Sequence, residues 1–219
     1  MSTNSLAIPL LIKTTLKRAI SGIAILTIFS LAIYSKATFS LLVSILFTIS
    51  IFEVFETSHW KLKVSGIIAI IISFIMLELH ILQGSLNEAI NIFINASLHD
   101  TGGYIFGSLF GKTKIAPDTS PKKTLEGFIG SILTIYMFDI SLSNTLFSTK
   151  HQTSHIISMA KSVLYASISL TGDLFFSKIK RLSKIKDFGS IIPGHGGVLD
   201  RIDSTIALSI YFGITSILL

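Results

Sequence analysis

Long apolar runs recur along the whole of this chain, and they restrict its possible folds more than any other feature of the sequence. Hydrophobic residues make up 50% of the 219 positions and charged residues only 14%, whereas soluble domains usually carry roughly a quarter charged residues. A run of about 20 apolar residues is long enough to cross a bilayer as a helix. The sequence therefore predicts one integral membrane domain over residues 1–219, folded as an all-α polytopic bundle of transmembrane helices.

Seven stretches qualify as candidate spans. They are Ile20–Tyr34, Thr38–Phe55, Val64–Leu79, Leu86–Phe110, Leu125–Leu142, Ile156–Phe176 and Ile202–Leu219. The first three are clean aliphatic and aromatic runs, whereas the last four contain acids, amides or histidine. Residues 1–85 are therefore expected to be mainly scaffold, and residues 86–219 to carry the chemistry.

The first run follows basic residues, as the apolar region of a signal peptide does. It is long for a signal, however, and the residues after it, Tyr34-Ser35-Lys36, form a poor cleavage context. A retained first helix is therefore expected.

Lysine and arginine are divided unevenly between the segments that join the spans. If the N-terminus is cytoplasmic, the cytoplasmic segments hold 15 of the 18 Lys and Arg residues. Basic residues in short loops remain on the cytoplasmic side, so the N-terminus is predicted inside and the C-terminus outside, in the cell (inner) membrane. This topology, together with contact with anionic membrane lipid, accounts for the formal net charge of +6. No nucleic-acid partner is predicted.

Two of the predicted cytoplasmic segments, Gly111–Gly127 and Ser177–Asp203, contain residue types that a simple basic connecting loop does not need. The second contains the stretch KDFGSIIPGHGGVLDRID, with four glycines and three aspartates in eighteen positions. Glycine lets the backbone approach a ligand closely, and backbone N–H groups in such turns form concave anion sites. Carboxylates interleaved with cations suit a phosphate bound together with a divalent metal. These segments are therefore predicted to form an anion site, against the simpler interpretation as loops that fix topology.

Acidic residues also occur inside the predicted spans. Asp173 and Asp100 lie within spans near their cytoplasmic ends, where a carboxylate usually faces an interior cavity and marks function. Asp203 and Glu126 lie near span ends, where solvation at the interface is the ordinary expectation.

The chain has no cysteine, which excludes disulfides and thiolate metal sites, and its six histidines show no zinc-ligand spacing.

These motifs resemble those of the phosphatidate cytidylyltransferases, also called CDP-diacylglycerol synthases. The segment SKIKRLSKIKDFGSIIPGHGGVLDRID follows the family's signature spacing throughout, and DTGGYIFGSLFGKTKIAPDTSPKKTLEGFIG resembles the family's upstream segment. Gly172-Asp173 matches a third short element. Many members are longer, with one or two further N-terminal spans, and Gly103 stands where Ala is commoner.

The resemblance implies the reaction of CTP with phosphatidate to give CDP-diacylglycerol and diphosphate, in phospholipid biosynthesis. It implies a Mg²⁺ ion held by Asp173 and Asp200, with a monovalent cation such as K⁺ beside it, and a homodimer. The candidate catalytic residues are Asp173, Lys186, Asp187, His195, Asp200 and Arg201. The candidate substrate-binding residues are Ser120, Lys122, Lys123, Lys180, Arg181, Gly196 and Gly197.

Simpler roles stay open for several of these residues. Lys122 and Lys123 could serve only as topology anchors, and His195 could only hydrogen-bond its turn. Asp173 could pair with Lys178 or Arg181, and Asp200 with Arg201, as interfacial salt bridges, which contribute only about 0–1 kcal/mol when exposed.

Two other functions compete with this interpretation. A CTP-dependent kinase of an isoprenoid alcohol would transfer the γ-phosphate to a hydroxyl group and would require a general base. A transporter would show paired broken helices near mid-membrane, whereas here the polar motifs crowd one side and one half of the chain. The fit to the full signature disfavours the kinase, and the one-sided distribution of the polar motifs disfavours the transporter.

Overall fold

A computed structural model describes residues 4–57, 59–83, 86–145, 154–194 and 196–218. Within these ranges the chain forms seven helices and one two-stranded hairpin. In chain order they are α1 Asn4–Ala32, α2 Lys36–Val54, α3 Trp60–Leu82, α4 Leu86–Phe110, β1 Lys114–Ala116, β2 Ser120–Thr124, α5 Leu125–Thr145, α6 His155–Leu182 and α7 Leu199–Leu218. The predicted helical architecture is confirmed. Helix α1 starts well before its apolar run and α6 extends beyond its own, while Leu219 lies outside the described residues.

Helices α2 and α3 are, within the described ranges, the two that are long and apolar enough to cross a membrane, and the apolar part of α1, Ala19–Ala32, is shorter. Many large apolar side chains nevertheless point outward, among them Leu26, Phe52 and Leu109, each 68–69% exposed. Such a surface is unusual for a protein in water, where large exposed apolar patches are rare. These features are typical of a membrane protein.

Helices α4 and α5 approach each other closely through glycine. A Cβ atom added at Gly102 would lie 2.8 Å from the carbonyl oxygen of Gly130, and one at Gly130 would lie 2.3 Å from Cβ of Phe106. Only a residue without a side chain fits such a contact, which is a common way for membrane helices to pack. The contact fixes the C-terminal half of α4, which includes Asp100, against α5.

Helices α6 and α7 meet in the same manner. A Cβ atom at Gly172 would lie 2.6 Å from the carbonyl oxygen of Asp203. Phe176, Phe188 and Ile206 are buried around this contact in the apolar core. Because Asp173 directly follows Gly172, the close approach places its carboxylate at the interface with α7.

The hairpin of β1 and β2 was not predicted. Its strands pair antiparallel, with Lys114 opposite Thr124 and Ala116 opposite Ser120. At its base the Glu126 carboxylate accepts hydrogen bonds from the backbone N–H groups of Lys112 and Thr113, at 3.0 and 3.2 Å. The hairpin thereby carries its lysines to the end of the helix bundle where α4, α6 and α7 meet.

Candidate active site

The first part of the site is built around the carboxylate of Asp173 on α6. Its Oδ1 atom accepts a hydrogen bond of 2.7 Å from Ser204 Oγ on α7. Its Oδ2 atom forms an ion pair with the ammonium group of Lys123 on β2, and His99 Nε2 of α4 lies 3.4 Å from the same oxygen. Four elements distant in sequence thus converge on one buried carboxylate.

Lys123 connects this carboxylate to a second acid. Its Nζ atom lies 3.7 Å from Oδ1 of Asp100, whose side chain is half exposed. Burial alone would lower the pKa of the Lys123 ammonium group, but the carboxylates of Asp173 and Asp100 outweigh that effect and hold the pKa above its usual value. Lys123 therefore carries its positive charge throughout the neutral range.

Three potential metal ligands meet at this point. One donor atom each from His99, Asp100 and Asp173 lie within 4.8 Å of one another. Within the described residues, the Nδ1 atom of His99 is buried without a hydrogen-bond partner, while its Nε2 atom faces Asp173. Carboxylate oxygens are the ligands that Mg²⁺ prefers, and an ammonium group already lies among them, so the donor set fits a cation.

Asp203 is buried, which corrects the expectation that it would be solvated at a span end. It is 6% exposed, and its Oδ1 atom accepts a hydrogen bond of 2.9 Å from the backbone N–H of Ser204. The close approach of α6 to α7 explains the burial, because it leaves no room for water beside the first turns of α7.

The second part of the site is built around Asp200 in the first turn of α7. Its Oδ1 atom lies 2.7 Å from Nζ of Lys180 on α6. Its Oδ2 atom accepts hydrogen bonds from the backbone N–H groups of Phe188 and Gly197, at 2.9 and 3.1 Å. Both side chains of the ion pair are largely buried, with 11% and 5% of their area exposed. The exposed salt bridge of Asp200 with Arg201, considered from the sequence, is replaced by this buried pair with Lys180.

The glycine-rich loop between α6 and α7 wraps around Asp200. Gly194 and Gly196 have φ values of 79° and 90°, a left-handed conformation that other residues rarely adopt. A Cβ atom at Gly196 would lie 3.3 Å from Oδ2 of Asp200. His195, predicted to be catalytic, lies outside the described residues.

A cavity of about 400 Å³ joins the two parts. Acids, bases and small polar groups line it together with apolar side chains. The lining residues are His99, Asp100, Gly103, Tyr104, Ile115, Ser120, Lys122, Lys123, Thr124, Gly127, Phe128, Leu170, Lys180 and Arg201. A mixed polar and apolar wall of this kind suits a ligand that has both an anionic and an apolar part.

Five of the predicted site residues line this cavity, namely Ser120, Lys122, Lys123, Lys180 and Arg201. Asp173 and Asp200 are held directly behind it by Lys123 and Lys180. The predicted sharing of one cation by Asp173 and Asp200 stays a prediction, because each carboxylate is paired with a different lysine.

The other predicted residues lie at the margin. Lys186 and Asp187 are exposed on the loop after α6, and neither lines the cavity. Arg181 is also exposed, and its Nε atom donates a hydrogen bond of 3.1 Å to the carbonyl oxygen of Thr119. Arg181 thereby ties the turn of the hairpin to the end of α6. Gly197 contributes a backbone N–H to Asp200, and Gly196 lies beside it.

Three contacts of the site were not predicted from the sequence. In the sequence, His99 precedes Asp100 and Ser204 follows Asp203. Nothing in the sequence indicates, however, that both side chains would lie beside Asp173. The third is Glu53, at the end of α2, whose carboxylate accepts hydrogen bonds from Val198 and Leu199. Its one sequence signal was an acid at the end of an otherwise apolar run.

Fold and site together define a helical, apolar protein with a cavity lined by lysine, arginine and acidic side chains at one end of its bundle. A model of the cytidylyltransferase family matches residues 64–218, and the chain belongs to that family. The resemblance drawn from the motifs is thereby confirmed.

Several curated relatives carry the name phosphatidate cytidylyltransferase. The protein of Haemophilus influenzae is 44% identical over 125 residues, which cover 55% of this chain and 42% of that protein. Those of Staphylococcus epidermidis and Staphylococcus haemolyticus are 44% and 41% identical over 112 residues, or 51% of this chain and 42% of each relative. The chain thus matches less than half the length of these relatives.

Proposed function

We propose that this chain is a phosphatidate cytidylyltransferase, which converts CTP and phosphatidate into CDP-diacylglycerol and diphosphate. The observation that carries the proposal is the cavity in which Lys122, Lys123, Lys180 and Arg201 gather beside the acids Asp100 and Asp173. It lies in the part of the chain that matches the family. The names of the relatives supply the substrates.

The reaction is an in-line displacement at phosphorus. A phosphate oxygen of phosphatidate attacks the α-phosphorus of CTP, and the bond from that phosphorus to the oxygen bridging it to the β-phosphate breaks. Diphosphate departs with the electron pair of that bond. Because the attacking oxygen is already anionic, the step needs no general base, and the task of the protein is positioning and charge stabilisation.

The residues of the cavity suit that task. Lys122 and Arg201 reach its wall from the hairpin and from α7, and as cations they would bind phosphate oxygens. Lys123 and Lys180 are held in fixed places by Asp173 and Asp200, so their charges need little reorganisation when substrate binds. Ile115, Phe128 and Leu170 provide an apolar wall for the lipid portion of phosphatidate.

A Mg²⁺ ion is part of the proposal, with K⁺ as the companion ion that the resemblance to the family implies. Asp173 would hold the Mg²⁺, with Asp100 beside it and Asp200 as the further ligand that the motif implies. Bound there, Mg²⁺ would neutralise negative charge on the phosphate oxygens. The ammonium group of Lys123, which now lies between Asp173 and Asp100, would then be available to a substrate phosphate.

The setting of the enzyme is proposed as well. All seven helices would cross the cell (inner) membrane, with the site on the cytoplasmic face where CTP is found and phosphatidate lies in the bilayer. The charge division between the loops supports this orientation. A homodimer is expected from the family, with membrane lipid as the surrounding partner.

Labelled CTP tests the proposal. The full chain, purified in detergent, is incubated with phosphatidate, Mg²⁺ and CTP labelled at the α-phosphate, and the lipid is then extracted. Label in the lipid together with release of diphosphate supports the proposal. Transfer of label from γ-labelled CTP to an isoprenoid alcohol would instead identify the kinase, and the Asp173→Asn variant prepared in parallel controls for enzyme carried over from the host.

A further inference from the structure

The end of α2 contributes a buried carboxylate to the rear of the site. Glu53 is 4% exposed. Its Oε1 atom accepts a hydrogen bond of 2.9 Å from the backbone N–H of Val198, and its Oε2 atom accepts one of 2.7 Å from Leu199. These N–H groups stand at the start of α7, where a helix has no partners of its own for them. Glu53 therefore caps α7 from another helix, 145 positions earlier in the chain.

The same stretch of backbone also serves Asp200. The N–H of Gly197 points to Oδ2 of Asp200, whereas those of Val198 and Leu199 point to Glu53. Three consecutive peptide groups are thus divided between two carboxylates. Because these peptide groups are adjacent, the orientation of the Gly197 N–H depends on the orientation of the Val198 and Leu199 N–H groups. Glu53 therefore determines how Gly197 meets Asp200.

Two glycines leave the space that Glu53 fills. A Cβ atom at Gly189 would lie 2.5 Å from Oε1 of Glu53, and one at Gly197 would lie 2.7 Å from Oε2. At Gly189 the three nearest atoms all belong to Glu53. Gly189 does not have positive φ, so the backbone there would accept alanine and the obstacle is the Glu53 carboxylate itself.

We propose that Glu53 is a positioning residue of the site, whose carboxylate fixes the glycine-rich loop and the first turn of α7 and thereby orients Asp200 toward Lys180. Glu53 lies before residue 64, where the match to the family begins, so the family's motifs do not assign it this role. The expected effect of Glu53 on turnover rests on the proposed function, whereas its expected effect on the order of the glycine-rich loop does not.

The test compares four variants of the full chain, and one control variant, in detergent. Glu53→Gln keeps the size of the side chain but replaces one acceptor oxygen by a donor. Gly189→Ala keeps the carboxylate and displaces it. Glu53→Ala is made with and without Gly189→Ala. Glu56→Gln is the matched control, because Glu56 is an exposed acid three positions further along the chain.

Hydrogen exchange followed by mass spectrometry gives the first readout. In Glu53→Gln and in Gly189→Ala we expect amides of residues 186–203 to exchange about tenfold faster or more, while those of α4 and α5 are unchanged. Glu56→Gln should match the wild type. Unchanged exchange in the loop, or faster exchange spread evenly over the whole protein, would overturn the proposal.

Turnover gives the second readout. Because the loop would no longer hold Asp200 toward Lys180, Glu53→Gln and Gly189→Ala should each lower turnover roughly tenfold to a hundredfold. The Glu53→Ala/Gly189→Ala double variant should be no worse than Glu53→Ala, because the obstacle at Gly189 is gone. Losses that multiply in the double variant would contradict the contact. A wild-type chain without activity would refute the proposed function, while hydrogen exchange would still decide the role of Glu53.

Discussion

Lys123 of the hairpin forms an ion pair with Asp173 of α6, fifty positions further along the chain. The contact attaches the exposed hairpin to the helix bundle at the wall of the cavity. It also places a fixed positive charge beside a buried carboxylate, which lowers the cost of burying either group. The pair is therefore the point at which hairpin, helix bundle and cavity are coupled.

Replacing Lys123 by alanine should lower turnover more than tenfold, because it removes a positive charge from the cavity and leaves Asp173 without its main partner. The measurement is CDP-diacylglycerol formation by purified variants of equal yield. Lys114→Ala is the control, since Lys114 is an exposed lysine of the same hairpin that does not line the cavity. Equal activity in the two variants would reduce Lys123 to a topology anchor.

Asp173→Asn should lower turnover by at least about 100-fold, or roughly 2.7 kcal/mol of transition-state stabilisation. The substitution keeps size and hydrogen bonding but removes the charge that a metal ligand needs. Residual activity should require a higher Mg²⁺ concentration, which a titration of Mg²⁺ measures. Near-normal turnover at unchanged Mg²⁺ dependence would remove Asp173 from the site.

The helices were predictable from the sequence because a long apolar run satisfies its backbone hydrogen bonds internally when it is helical, as a membrane environment would require. The hairpin was not, because its strands are three and five residues long and carry no alternating pattern. The partner of Asp173 was not predictable either. Sequence proximity favoured Lys178 and Arg181, whereas the packing of α4, α5 and α6 brings Lys123 closer.

Labelling of introduced cysteines tests the proposed orientation, since the chain has no cysteine of its own. In intact cells, Asp118→Cys and Ser190→Cys should resist a membrane-impermeant thiol reagent, and Gln83→Cys should react with it. All three positions are exposed. The opposite pattern would reverse the topology inferred from the distribution of lysine and arginine.

Gly102→Ala should destabilise the protein by about 1–3 kcal/mol, the usual cost of forcing an extra methyl group into a packed contact. The added Cβ atom would lie 2.4 Å from Oγ1 of Thr134. Thermal unfolding in detergent measures the loss. Gly22→Ala is the control, because among the described residues no atom outside the adjacent helix backbone lies within 4 Å of a Cβ atom placed there, and it should leave the melting temperature unchanged or raise it. Equal melting temperatures for the two variants would contradict the close packing of α4 and α5.

Variants of the buried pair of Lys180 and Asp200 distinguish the contribution of the pair to stability from its contribution to activity. Lys180→Met alone leaves the Asp200 charge buried without its partner and should destabilise the protein by about 3–5 kcal/mol. Adding Asp200→Asn removes that charge, so the double variant should regain most of the lost melting temperature. It should not regain turnover, because the cavity then lacks the cation of Lys180 and the carboxylate of Asp200. Recovery of both properties would make the pair purely structural, and recovery of neither would mean that Asp200 stabilises the fold through Phe188 and Gly197 rather than through Lys180.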